Sequence, residues 1–142
     1  YSAIQLPHVT FFIIGPYKKQ VLRNLPRNLV YHGYVEPNLV PAYLQNATVG
    51  LVPIIASRWG IMERPRKLYQ YLAAGIPVVS TKGKYSLPTS YVSYADTEHT
   101  FISLVKSAVN IQLHKEAIKR YAQNNFSWEQ VYRKLDDILS NI

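Results

Sequence analysis

Residues 63–80, ERPRKLYQYLAAGIPVVS, constrain what this chain can fold into more than any other stretch. They read in succession as loop, helix, tight turn and buried strand. Pro65 suits the first helical position, where its missing N–H costs nothing. Leu68, Tyr71 and Leu72 recur at helical spacing and predict a side that faces a core. Gly75 follows the last helical residue, the place of a C-terminal cap. Pro77 cannot continue the helix, and the apolar run that it opens reads as a strand. Arg64, Arg66 and Lys67 gather where the helix begins, beside one acid, Glu63. The free N–H groups of a helix start already favour an anion. A phosphate-sized site is therefore expected at this helix start.

The flanking segments continue the alternation. Residues 8–14 are apolar and β-rich without polar alternation, which reads as a strand covered on both faces. They run into Gly15-Pro16-Tyr17-Lys18-Lys19. A loop with a glycine and lysines at a strand's C-terminal end is where open α/β sheets bind ligands, and a solvated basic turn fits the same residues. Residues 29–34 read as a second strand that ends at Gly33, with His32 a core polar group. Residues 39–46 read as a short helix after Asn38, and residues 49–53 as a third buried strand. Residues 77–80 and 91–94 add two more, with a basic turn (Thr81 to Lys84) between them. Beyond Asp96 the chain reads as helices alone. Residues 100–109 turn Phe101, Leu104, Val105 and Ala108 inward, and residues 115–124 turn Ala117, Ile118 and Tyr121 inward. A last helix capped by Ser127 has Trp128, Val131, Tyr132, Leu135, Ile138 and Leu139 on one apolar face. Strands that alternate with helices predict an α/β fold: a Rossmann-like parallel sheet covered by helices, closed by C-terminal helices. At 142 residues the chain is long enough for one domain with a core.

Charge narrows the partner. The net charge is +8, and all of it lies in residues 1–95, where ten Lys/Arg face only Glu36 and Glu63; residues 96–142 carry six of each sign. A localised basic balance points to a nucleotide, a nucleic acid or a membrane surface. There is no Cys, hence no disulfide and no thiolate chemistry, which suits the cytosol. No apolar run approaches the roughly 20 residues that span a bilayer. Residues 1–10 lack the basic start and cleavage site of a signal peptide, and a first residue other than Met predicts a fragment or a processed form. The four histidines have no metal-ligand spacing, so no metal site is expected. Asp136 and Asp137 are adjacent on a helix and do not make a catalytic pair. No nucleophile elbow, RNP-like run or helix-turn-helix signature is present.

The residues FFIIGP (11–16), 28–54 and ERPRKLYQYLAAGIPVVST (63–81) together resemble the C-terminal half of GT-B glycosyltransferases. The resemblance is strongest to bacterial, glucuronosyltransferase-like enzymes of polysaccharide synthesis. Its core is a Pro-x-Lys-Leu-x-Glu-Tyr-Met/Leu-Ala-x-Gly-x-Pro-Val-Val run, matched by Pro65, Lys67, Leu68, Tyr71, Leu72, Ala73, Gly75, Pro77, Val78 and Val79. The FSWEQVYRKL tail (126–135) extends the likeness to nearly the whole chain. In that family this half binds a nucleoside-diphosphate sugar. The resemblance implies that Lys67, with Arg64 or Arg66, neutralises the donor diphosphate, and that the loop from Gly15 to Lys18 touches the phosphates. It implies that Gln70 holds ribose or sugar hydroxyls, where relatives usually have Glu. Glu63 takes a related role, one position off the usual spacing. Tyr34 and Val35 fall where the nucleobase packs. It further implies a UDP-sugar as substrate, no cofactor and no metal. The catalytic base is expected in an N-terminal acceptor domain, which residues 1–142 lack along with their own first strand. The fragment alone is then expected to be inactive. A cytoplasmic protein, peripheral on the inner face of an anionic membrane, fits lipid-linked acceptors. A non-catalytic nucleotide-binding module of the same fold stays open beside this reading, and so does a basic nucleic-acid-binding domain.

Overall fold

A computed structural model describes residues 2–16, 24–54, 66–83, 86–111 and 114–140. The chain forms two compact units, residues 1–43 and 44–142.

The first unit opens with a one-turn helix, α1 (Ser2–Gln5), whose Ala3 is buried. Strand β1 (Phe11–Ile14) then pairs in parallel with β2 (Leu29–Gly33), in the register Phe11↔Leu29 to Ile13↔Tyr31. Asn28 holds the entry to this pair. Its Nδ2 lies 2.8 Å from the Ala3 carbonyl, 2.9 Å from that of Leu6 and 2.8 Å from that of Val9. One amide thus gathers three backbone carbonyls, from α1 and from the segment that leads to β1. Helix α2 (Val40–Gln45) leads out of this unit. The two strands are less covered than an unbroken apolar pattern predicts: Phe12, Ile13 and Val30 are all exposed. Among the described residues of this unit, two strands and two short helices leave part of the sheet uncovered. His32 is exposed as well and is no core residue. Its Nε2 is 2.8 Å from the Tyr43 hydroxyl, and its ring lies beside those of Tyr43 and Phe12.

The second unit is a three-stranded parallel sheet in the order β3 (Gly50–Val52), β4 (Val78–Thr81), β5 (Val92–Ala95). Helix α3 (Arg66–Ala73) joins β3 to β4, and α4 (Glu98–Asn110), α5 (Lys115–Phe126) and α6 (Trp128–Leu139) follow β5. Val52, Leu68, Leu72, Val78, Val92, Ile118 and Ala122 form one buried cluster. Each strand thus sends apolar side chains to the same core as α3 and α5, as the lack of polar alternation predicts. Helix α4 starts earlier than its apolar spacing suggests, because Thr97 caps it by accepting from the Thr100 N–H. Ser127 caps α6 as expected, accepting from the Gln130 N–H.

The apolar face of α6 differs from expectation. All six of its large side chains are exposed, Trp128 at 76 %. Spacing reports amphipathicity, whereas burial needs a neighbour, and the main packing partner of α6 among the described elements is α5. The join between those two helices is better held. Phe126 lies edge-on to Tyr69 of α3, with centroids 4.9 Å apart, and to Tyr121.

Helix α3 is closed at its C-terminus by a complete Schellman motif. The Ile76 N–H donates to the Tyr71 carbonyl and the Gly75 N–H to that of Leu72, with Gly75 at φ +77°. A Cβ at Gly75 would lie 2.7 Å from the Lys115 carbonyl oxygen at the start of α5. Gly75 is therefore required twice, by its left-handed backbone and by the approach of α5. Gly75→Ala is expected to destabilise the protein by about 2–4 kcal/mol, combining left-handed strain with overpacking. The shift of the urea midpoint measures it, and a shift under ~0.5 kcal/mol would refute the close approach.

Candidate functional site

The crossover from β3 through α3 to β4 places the cationic helix start. β3 and β4 are parallel, so α3 must carry the chain back from the C-terminal rim of the sheet to its N-terminal edge. Its last turn meets β4 at Gly75–Ile76–Pro77. Its first turn, with Arg66 and Lys67, therefore belongs to the rim where open α/β sheets bind ligands.

The two faces of α3 divide as the spacing predicts. Leu68 and Leu72 are buried, Leu72 completely, whereas Arg66, Lys67 and Gln70 are exposed. Lys67 and Gln70 are three residues apart and share an exposed side of the helix. Tyr71 is half-buried and lies close to Gly50 of β3, where any Cβ would run into its ring. Burial pushes the Tyr71 phenol above its ordinary pKa, so it stays neutral and offers no base near pH 7. The same holds for Tyr94, raised first by burial, while its hydroxyl accepts the Leu87 N–H at 2.8 Å.

Along the rim, β4 and β5 are followed directly by Lys82 and Asp96, whose charged groups are 3.6 Å apart and exposed. Such a pair contributes little to stability, but it takes up part of the positive charge of the turn after β4. Ser80 and Thr81, legible in the sequence only as the end of a strand and the start of a basic turn, both turn their hydroxyls to backbone groups of the β3 segment. No local pattern in the sequence marks these partners, which lie 27 and 28 residues away.

The remaining residues expected at the site fall elsewhere in the chain. Gly15, Tyr34 and Val35 belong to the first unit. The Gly15 N–H donates to the Gly33 carbonyl at 2.8 Å, and the Gly15 carbonyl accepts the Tyr31 hydroxyl at 3.0 Å. Gly15 thus shapes a turn with its amide already engaged. Tyr34 is 62 % exposed, so its ring presents an open face, whereas Val35 is buried and offers a ligand only its backbone. Lys18, Glu63, Arg64 and Pro65 lie outside the described residues. Among the described residues no group of three or more His, Asp or Glu side chains could hold a metal ion, and no helix is long and apolar enough to cross a membrane.

A recess of about 380 Å³ lies at the opposite edge of this sheet, lined by Asn46, Thr48, Pro77, Asn110 and Lys115 among others. It is open to solvent, and the Lys115 amine already donates to the Gln45 carbonyl at 2.9 Å. The cationic rim is the better candidate because its charged groups are exposed at a helix start.

Comparison with known proteins bears on this arrangement. Residues 2–120 match the family described as Glycosyl transferases group 1. The chain belongs to that family. Its helix-covered parallel strands agree with the C-terminal half of a GT-B glycosyltransferase. One relative, from Bacillus subtilis (strain 168), carries the name "Putative teichuronic acid biosynthesis glycosyltransferase TuaH". It is 29% identical over 149 residues, which cover 94% of this chain and 37% of the relative. The chain thus spans little more than a third of that relative's length. No solved structure gives a significant match.

Because Lys67 and Gln70 are exposed and outside the buried cluster, Lys67→Ala and Gln70→Ala are expected to leave stability within about 0.5 kcal/mol of the parent chain. Thermal unfolding checks this, and a larger loss would mark them as structural residues.

Proposed function

We propose that this chain is the donor-binding part of a glycosyltransferase that moves a sugar from a nucleoside-diphosphate sugar to an acceptor in polysaccharide or glycoconjugate synthesis. The observation that carries the reading is the start of α3, in a chain of the glycosyl transferases group 1 family. Arg66 and Lys67 stand exposed there, while Leu68 and Leu72 of the same turns are buried.

In this reading Lys67 neutralises the donor diphosphate, with Arg66 and Arg64 beside it. Fixed cations and helix N–H groups stabilise charge that develops on the leaving diphosphate and need no reorganisation as it forms. Gln70, one turn on, takes the ribose or sugar hydroxyls; an amide donates and accepts, so it can hold a hydroxyl where a carboxylate can only accept. Glu63 assists it. Tyr34 and Val35 take the nucleobase, and Gly15 and Lys18 the phosphates, as the family resemblance implies. The donor is a UDP-sugar. The acceptor and the catalytic base belong to an N-terminal acceptor domain of a longer parent, and closure of the two parts completes the site. The name of the Bacillus subtilis relative supports an acceptor of the cell-surface polysaccharide kind.

Calorimetric titration of the chain with UDP tests the reading. Saturable one-site binding is expected, weakened about ten- to hundredfold in Lys67→Ala, the worth of one charge-assisted hydrogen bond to phosphate. Binding to any polynucleotide with a steep salt dependence, and no preference for a free nucleotide, would overturn it in favour of a nucleic-acid-binding domain.

A further inference from the structure

Helix α6 presents an apolar stripe that nothing among the described residues covers. Trp128, Val131, Tyr132, Leu135, Ile138 and Leu139 are all exposed, from 47 % at Val131 and Leu135 to 76 % at Trp128, and no residue of α6 is buried. The six fall into three pairs seven residues apart: 128 and 135, 131 and 138, 132 and 139. A repeat of seven keeps one seam of a helix aimed at a neighbour that runs alongside, so the stripe is shaped to meet another helix. Its base is anchored in the second unit. Ser127 caps α6, and Phe126 just before it rests on Tyr69 and Tyr121. The six residues together expose roughly 700–800 Å², more than the largest apolar patch of a typical monomer and about what one partner brings to a standard interface.

Two observations select the partner. The other described helices of two turns or more already bury their apolar faces, through Leu68 and Leu72 in α3, Phe101 and Val105 in α4, and Ile118 and Ala122 in α5. The described helix that offers a matching stripe is therefore α6 itself, in a second copy. Charge points the same way. Helix α6 carries Arg133 and Lys134 against Glu129, Asp136 and Asp137, with the Arg133 guanidinium 2.6 Å from the Glu129 carboxylate, and residues 96–142 as a whole are neutral. The positive excess of the chain lies in residues 1–95, so two α6 surfaces can approach without a local excess of one sign. A helix that lies on an anionic bilayer needs the opposite, a polar face rich in Lys and Arg. We propose that α6 is a homodimerisation surface: two copies of the chain lay these stripes against each other about a twofold axis, each covering the other. The inference stands apart from the donor-binding reading and survives its failure.

Sedimentation equilibrium of the 142-residue chain tests the proposal, with Leu135→Glu, Ile138→Glu and Arg133→Gln beside the parent. The parent is expected to pass from monomer to dimer with a Kd on the order of 1–10 μM, the range open to a standard-sized interface. Leu135→Glu and Ile138→Glu each place a carboxylate in the stripe, and twofold symmetry brings it into the interface twice. Each is expected to weaken the dimer about a hundredfold or more. Because both side chains are exposed in the single copy, far-UV circular dichroism of the dilute chain should not change. Arg133 lies on the polar side of α6, and Arg133→Gln should leave the Kd within about threefold of the parent. A chain that stays monomeric up to about 100 μM would overturn the proposal. So would a dimer that both glutamate variants keep, since its contact would lie elsewhere, or growth into larger aggregates instead of a closed pair. Vesicles containing phosphatidylserine are the control for a lipid surface. A monomeric chain that pellets with them, and no longer does so after Leu135→Glu, would assign the stripe to a membrane and overturn the dimer.

Discussion

The seating of α3 is the constraint on which the rest of the second unit depends. Leu68 and Leu72 go into the core from one side of the helix, each contributing about 1.5–3 kcal/mol by burial. At its far end the chain reverses through Gly75, whose left-handed backbone closes the last turn and leaves no room for a side chain under the Lys115 carbonyl. Midway, the bare backbone of Gly50 lets the Tyr71 ring approach β3. The helix is thereby held in depth, in rotation and at its end. What remains free to face solvent is the side that carries Arg66, Lys67 and Gln70.

A site made in this way has little need of buried charge. Its cations stand at the rim of a parallel sheet, in water, where the proposed dianionic ligand would find them already in place. The neighbouring Lys82–Asp96 pair is exposed and adds little stability. The diphosphate proposed for this helix start would require a rigid scaffold more than a deep cavity. The hydroxyls of Ser80 and Thr81 tie β4 to the end of β3 through the backbone groups of Val52 and Ile54.

The first unit is held by different means. Among its described residues, polar side chains carry much of the order. Asn28 ties together the carbonyls of Ala3, Leu6 and Val9, and the Tyr31 hydroxyl fixes the Gly15 turn. Exposed Phe12 and His32 and half-buried Tyr43 lean on one another at ring distances of 4.9–6.1 Å. Apolar composition alone led to the expectation that β1 and β2 are covered on both faces. The exposure of Phe12, Ile13 and Val30 shows that an apolar strand reports what a fold could bury, and the cover must come from other segments.

The sequence by itself determined everything that depends on neighbours a few residues apart. The spacing of Leu68 and Leu72, the cap at Gly75, the stop at Pro77 and the N-cap at Ser127 are local chemistry, and each was legible without coordinates. So was the parallel α/β class, because buried strands and amphipathic helices alternate along the chain. The candidate site was legible to the same depth: one exposed helix side with Arg66, Lys67 and Gln70 follows from a period of 3.6. Tertiary structure decided the rest, because it depends on what lies opposite. Thr97 moved the start of α4 ahead of its first apolar residue. The apolar face of α6 stayed uncovered although its pattern matches that of buried helices. The Gly15 amide was claimed by Gly33, and the Thr81 hydroxyl found Ile54, 27 residues away. Hydrogen-bond partners across strands and the cover over an apolar face are set by contacts distant in sequence, and no local pattern encodes them.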